Sequence, residues 1–184
     1  MYHCTNFSGA LKNLIKSVIK VGEKVPMDVT LGKSLPPVDG VCAIAPKVLS
    51  GELFKDRKVV VFAVPGAFTP TCSAKHLPGF IEKSEEIKKK GISEIFCIAT
   101  NDPFVMSAWG KDVNAGSAVT LLSDGNSEFT KKIGLGMDGS AFLLGADRSQ
   151  RYAMIIDSGV VKHLAVEEGG KFEVSSAEAI LKQL

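Results

Sequence analysis

At 184 residues the chain has the length of one domain able to bury a sizeable core, and its 45% hydrophobic and 23% charged residues are ordinary for a globular protein, which excludes a disordered or fibrous chain. A net charge of +2, with the lysines spread along the sequence, leaves no electrostatic footprint for nucleic acid. The four cysteines, Cys4, Cys42, Cys72 and Cys97, make no CxxC pair and no ligand spacing with His3, His76 or His163, which argues against a zinc site or a disulfide framework and fits a reducing intracellular compartment.

Residues 1 to 22 lack Asp and Glu, and Leu11, Leu14, Ile15, Val18 and Ile19 recur at helical spacing opposite Lys12, Lys16 and Lys20. The pattern predicts a basic amphipathic helix as an N-terminal extension. Two readings of it stay open, the remnant of an organellar targeting segment and a helix docked on the domain. The sequon Asn6-Phe7-Ser8 reads as chance, because no long apolar segment marks a signal peptide or membrane span.

Residues 23 to 184 change to short apolar runs separated by helical stretches, which predicts one layered α/β domain. Strands are expected at Lys58 to Val64, Glu94 to Thr100, Tyr152 to Ile156 and Val160 to Val166, the last two joined as a hairpin by Asp157-Ser158-Gly159. Helices are expected at Ile81 to Lys90, Phe104 to Val113, Ser127 to Ile133 and Ala177 to Leu184. The sum is a mixed sheet flanked by helices.

The segment Val61 to Phe80 carries the chemistry. A buried strand ends at Pro65, Gly66 lets the backbone turn, and Pro70 opens a helix, where its missing N–H is no loss. Cys72 then falls in the first turn of that helix, facing unpaired N–H groups and the positive end of the dipole, which favour the nucleophilic thiolate. Thr69 lies three residues earlier, within reach of the sulfur or of an oxygen bound there. Pro78 and Gly79 predict a kink six to seven residues past the cysteine. Residue pattern alone leaves a packing role for Cys72 open.

The run Pro65-Gly66-Ala67-Phe68-Thr69-Pro70-Thr71-Cys72 resembles the active-site loop of peroxiredoxins, with its PxxxTxxC spacing. Its extension through His76-Leu77-Pro78-Gly79-Phe80, together with Asn101-Asp102-Pro103-Phe104-Val105 and Arg151-Tyr152-Ala153-Met154, is similar to the type II, peroxiredoxin-five-like subfamily. The resemblance covers residues 21 to 184. It implies a thioredoxin-like fold, a thiol-dependent peroxidase acting on hydrogen peroxide and alkyl hydroperoxides, no metal, flavin or other cofactor, and a homodimer formed through edges near the active site. It implies roles for Cys72 as peroxidatic nucleophile, Thr69 as orienting hydroxyl, Pro65 as shield and Arg151 as distant cation. The last role is physically sound, because a guanidinium fork stays charged and can meet a thiolate and a peroxide oxygen together. Arg148 ranks second for it, its spacing from Tyr152-Ala153-Met154 not fitting the family pattern.

Members that resolve the sulfenic acid internally use a second cysteine near the C-terminus or about 25 residues beyond the first. Here no cysteine follows Cys97, and Cys97, 25 residues past Cys72 among Ile95, Phe96 and Ile98, reads as a packing residue first and a resolving one second. The expected partner is therefore an external thiol: glutathione, glutaredoxin or thioredoxin. Cys42 reads as core and Cys4 as tail. A Cys72/His76 hydrolase is disfavoured, since the base of such enzymes comes from a distant segment. A thioredoxin-fold redox-binding or holdase protein without turnover is the rival, distinguished by a peroxide-consumption assay.

Overall fold

Val59 to Ala63 is apolar throughout, so both faces of that segment must be covered and it takes the middle of a sheet. In the computed structural model, which describes residues 17–34 and 45–184, the main sheet is formed by Thr30–Lys33 (β1), Lys47–Leu49 (β2), Lys58–Ala63 (β3), Glu94–Ala99 (β4), Thr120–Ser123 (β5) and two later strands. Gly136–Met137 (β6) and Arg148–Ser149 (β7) pair as a separate ribbon, and Tyr152–Asp157 (β8) and Val160–Val166 (β9) complete the sheet. Its order is β2-β1-β5-β4-β3-β8-β9. The pairs β3/β4 and β4/β5 are parallel and the rest antiparallel, giving the expected mixed sheet.

The helices are Ser50–Phe54 (α1), Leu77–Glu82 (α2), Ser84–Lys89 (α3), Pro103–Asp112 (α4), Glu128–Lys132 (α5) and Ala177–Leu181 (α6). Strand alternation sorts the core into two layers. Val60, Phe62, Cys97 and Ala153 face one side with Leu77, Phe80, Trp109 and Ile180. Val59, Val61, Phe96 and Met154 face the other with Phe54 and Phe129. Cys72 belongs to the first layer.

Local chemistry fixes the joints. Ser158 at φ 50° and Gly159 at φ 81° form the two-residue hairpin between β8 and β9, a turn that needs positive φ at both central residues. Asp102 caps α4, accepting from Phe104 N at 2.9 Å and Val105 N at 3.0 Å, with Pro103 in the first turn. That cap leaves Asn101 at the end of β4, beside the loop that follows β3.

The expected N-terminal helix is corrected where it can be seen. Ser17–Lys20 carry no helix; Ile19 alone turns inward, its N–H donating to Ile133 O at 2.9 Å, and Gly22 N–H donates to Val161 O at 2.8 Å. These backbone groups bond to the domain instead of to one another, which a helix cannot allow. Leu11, Leu14 and Ile15, like Cys4 and Cys42, lie outside the described residues.

Candidate active site

After β3 the chain makes a tight loop. Phe68 sits at φ 60° with its ring in solvent, Ala67 N–H donates to Asn101 Oδ1 at 2.9 Å, and Thr69 Oγ1 donates to Gly66 O at 2.9 Å. A helix begins at Pro70 and widens at once into a π-helical turn over Cys72–His76, in which Leu77 N–H reaches Cys72 O. The kink expected at Pro78 and Gly79 therefore falls earlier. Pro78 occupies the first turn of α2, where proline is tolerated, but it has no N–H for Ala74 O and its ring crowds that carbonyl. The preceding turn absorbs the mismatch by taking in an extra residue. Trp109 Nε1–H holds this turn through Ser73 Oγ at 2.9 Å.

The sulfur of Cys72 is fully buried, and Arg151 Nη1 lies 3.4 Å from it. The same nitrogen donates to His76 Nδ1 at 3.1 Å, while His76 Nε2 is 3.0 Å from Ser175 O. Because a guanidinium only donates and a carbonyl only accepts, the imidazole must be neutral with its proton on Nε2. Consistently, burial first and the Arg151 charge second push His76 down to about 3, against weaker opposing effects of Ser175 and Glu167. Arg151 is 7% exposed, its guanidinium carbon stands 5.9 Å from the Phe172 ring centre, and its Nε, also buried, has no partner among the described residues. Phe62 and Phe80, stacked at 4.0 Å, close the floor.

A cleft of about 690 Å³ opens onto this group, lined by Pro65, Thr69, Pro70, Met137, Phe142, Leu144, Gln150, Arg151 and Glu167. It gathers three of the sequence-predicted residues, Pro65, Thr69 and Arg151, beside the fourth, Cys72. The Thr69 hydroxyl is spent on Gly66 O and not on the sulfur. Cys97 sits at the centre of β4 between Phe62 and Leu121, fully buried, its thiol pushed well above the ordinary range by burial and then by Cys72. Arg148 has its Nε on Leu144 O at 2.6 Å, and it is Arg151 whose guanidinium meets the sulfur.

Sequence reading missed Ser175, Glu167 and Phe172 as parts of the site. The four-residue step from Cys72 to His76 puts both on one helical face; in the sequence that pair is weighed only as a hydrolase, and the structure sets the histidine against Arg151 instead. A hydrolytic base is ruled out for it, since a nitrogen held by Arg151 and titrating at about 3 takes no proton near neutrality.

A strand-loop-helix unit setting a buried cysteine against a guanidinium that lines a largely apolar cleft defines a thiol-based redox domain of the thioredoxin-like class. The family described as Redoxin matches residues 20–181. Peroxiredoxin-2E-2, chloroplastic, of Oryza sativa subsp. japonica is 52% identical over 172 residues, covering 92% of this chain and 74% of that protein. Peroxiredoxin-2B of Arabidopsis thaliana is 53% identical over 133 residues, 72% of this chain and 82% of its own. The crystal structure of reduced Prx3 from Vibrio vulnificus in complex with hydrogen peroxide superposes with a TM-score of 0.80 at 47% identity, covering 91% of this chain and all of that one (100%). The chain belongs to the peroxiredoxin family and is a thiol-dependent peroxidase.

Proposed function

We propose that Cys72 is the nucleophile and that Arg151 pairs with its thiolate and binds the peroxide. The observation that carries this is the Arg151 Nη1 to Cys72 Sγ distance of 3.4 Å, with the buried Nε–H left over as a donor. The thiolate attacks one peroxide oxygen, an S–O bond forms as the O–O bond breaks, and the leaving alkoxide or hydroxide takes a proton to depart as alcohol or water. Sulfur is oxidised to sulfenic acid and the peroxide is reduced. The guanidinium meets charge at both ends of this exchange, in a pocket where water competes little. Thr69 serves by shaping the loop through its bond to Gly66 O, leaving its oxygen free to accept a peroxide proton, and Pro65 walls the cleft.

Resolution by an external thiol fits the burial of Cys97 in a central strand with its thiol held neutral. Glutathione, delivered directly or through glutaredoxin, or thioredoxin would attack the sulfenic sulfur, release water and leave a mixed disulfide that a second thiol reduces. The chloroplastic names of the Oryza sativa and Arabidopsis thaliana 2E relatives support a plastid location. Exposed Phe142 and Leu143, at 72% and 96%, stand at the cleft rim and support a homodimer meeting there, which sedimentation would show. The test of the nucleophile is Cys72→Ser, expected to lose turnover of hydrogen peroxide and alkyl hydroperoxide while keeping a cooperative thermal transition. Retained turnover would assign the chemistry elsewhere.

A further inference from the structure

We propose that Glu167 is a positioning residue for Arg151: its carboxylate locks the 167–175 loop so that Ser175 O fixes His76, and His76 in turn keeps the guanidinium on Cys72. The inference rests on the roles given above to Cys72 and Arg151. Glu167 Oε1 accepts from Glu173 N, Val174 N, Ser175 N and Ser175 Oγ, each at 2.8 Å. Ser175 O takes the His76 Nε2 proton at 3.0 Å, which turns the Nδ1 lone pair toward Arg151 Nη1 at 3.1 Å. The circuit closes through Glu167 N–H on Arg151 O at 2.9 Å. Every link is a hydrogen bond with donor and acceptor assigned, and cutting it at Glu167 releases three backbone N–H groups together.

The remainder of the loop has little else to hold it. Glu168 to Lys171 are exposed and include Gly169 and Gly170, yet the next residue, Phe172, must stay 5.9 Å from the Arg151 guanidinium and 5.0 Å from the His76 ring. Arg151 lines the open cleft, where a long side chain without a second anchor has other acceptors and water to turn to. A carboxylate that acted only as a charge would have the opposite effect on Cys72 from one that acts by position. As a charge it disfavours a nearby thiolate, so its removal would ease ionisation of the sulfur; as an anchor its removal frees Arg151 and hinders ionisation.

The test uses the full chain as Glu167→Ala, Glu167→Gln and Ser175→Ala, with Cys72→Ser alongside. The measurements are the second-order rate constant with hydrogen peroxide, the pH profile of Cys72 alkylation by iodoacetamide, and the thermal midpoint. Glu167→Ala is expected to slow the peroxide reaction on the order of tenfold or more and to move the half-point of alkylation to higher pH. Glu167→Gln keeps an acceptor oxygen in place and should recover most of the rate. A lowered thermal midpoint with unchanged rate and alkylation profile, or an alkylation half-point moved to lower pH, overturns the proposal. Should Glu167→Ala not fold, Ser175→Ala removes one of the four donors, and an unaltered rate there overturns it equally. Turnover persisting in Cys72→Ser would remove the nucleophile that the circuit serves, a failure distinguishable from the others because it leaves the Glu167 effects unexplained by any thiolate.

Discussion

Replacing Arg151 by methionine keeps a long unbranched side chain and deletes the charge beside the sulfur. The separation of 3.4 Å gives a gross attraction between unit charges of about 5 kcal/mol at an effective dielectric of about 20. Part of this is offset by the cost of holding a guanidinium in a site only 7% exposed, so roughly 3–4 kcal/mol should remain, the range found when a preorganised stabiliser of reacting charge is removed. The peroxide rate constant should therefore fall about 10²–10³-fold. Stopped-flow competition for hydrogen peroxide against a second peroxidase measures it directly. Folding should suffer less, because orphaning His76 Nδ1 costs about 1–3 kcal/mol while the desolvation cost of a buried guanidinium disappears. Arg151→Lys should fall between wild type and methionine, since one ammonium cannot span both Cys72 and His76 with the geometry of a fork. A rate within about fivefold of wild type for the methionine variant would refute the electrostatic reasoning, whatever its stability.

The buried histidine sets an acid limit: His76 titrates at about 3 in the fold against 6.5 ordinarily. Between those values the unfolded chain binds the extra proton, and stability falls as pH is lowered from 6.5 toward 3, by on the order of 5 kcal/mol in full. Urea midpoints at pH 7, 5 and 4 should show this, and His76→Phe should flatten the profile. Phe80→Ala removes a ring stacked 4.0 Å from Phe62 beneath the site and should cost about 3–5 kcal/mol in denaturant unfolding. Cys97→Ala should leave glutathione-driven turnover within about twofold of wild type, an amount too small to register as lost transition-state stabilisation; turnover abolished together with a Cys72–Cys97 disulfide seen by mass spectrometry would make Cys97 the resolving residue.

The legible parts of this molecule are those written in contiguous residues. The β3 and β4 runs, the hairpin around Ser158-Gly159 and the loop from Pro65 to Cys72 are each set by local periodicity or turn chemistry, and each lies within a residue or two of its expected place. Arg151 comes from the family resemblance, and alternation agrees with it, because it shares a strand face with Ala153 and Ile155, which lie in the layer that holds Cys72. Short strands such as β1, β2 and β5, with three or four residues of pattern apiece, are formed by pairing partners far along the chain and carry too little local signal. The π-helical turn was legible only as a proline that had to disturb something. Its effect passed to the turn before, because the distortion goes to whichever carbonyl lacks a donor. Glu167 and Ser175 act through backbone atoms and a single carboxylate about a hundred residues from Cys72, so no spacing rule could have joined them.

The charge balance of the site favours the reduced enzyme. With the thiolate present, Arg151 has a counter-charge in contact, a neutral imidazole on its other proton and an aromatic face nearby. Oxidation replaces that thiolate with a neutral sulfenic acid and takes away the anion in contact with the guanidinium. Glu167, the carboxylate that lines the same cleft, cannot move in to compensate, since four donors already hold its Oε1. His76 cannot help by changing its protonation, because a second proton would only add to the positive charge. On the roles proposed above, the oxidised state is raised relative to the reduced one by the loss of a buried pairing, and attack by an external thiolate on the sulfenic sulfur would bring the missing negative charge back to Arg151. The electrostatics proposed to favour a thiolate at Cys72 in the first half of the cycle would then favour the approach of another in the second.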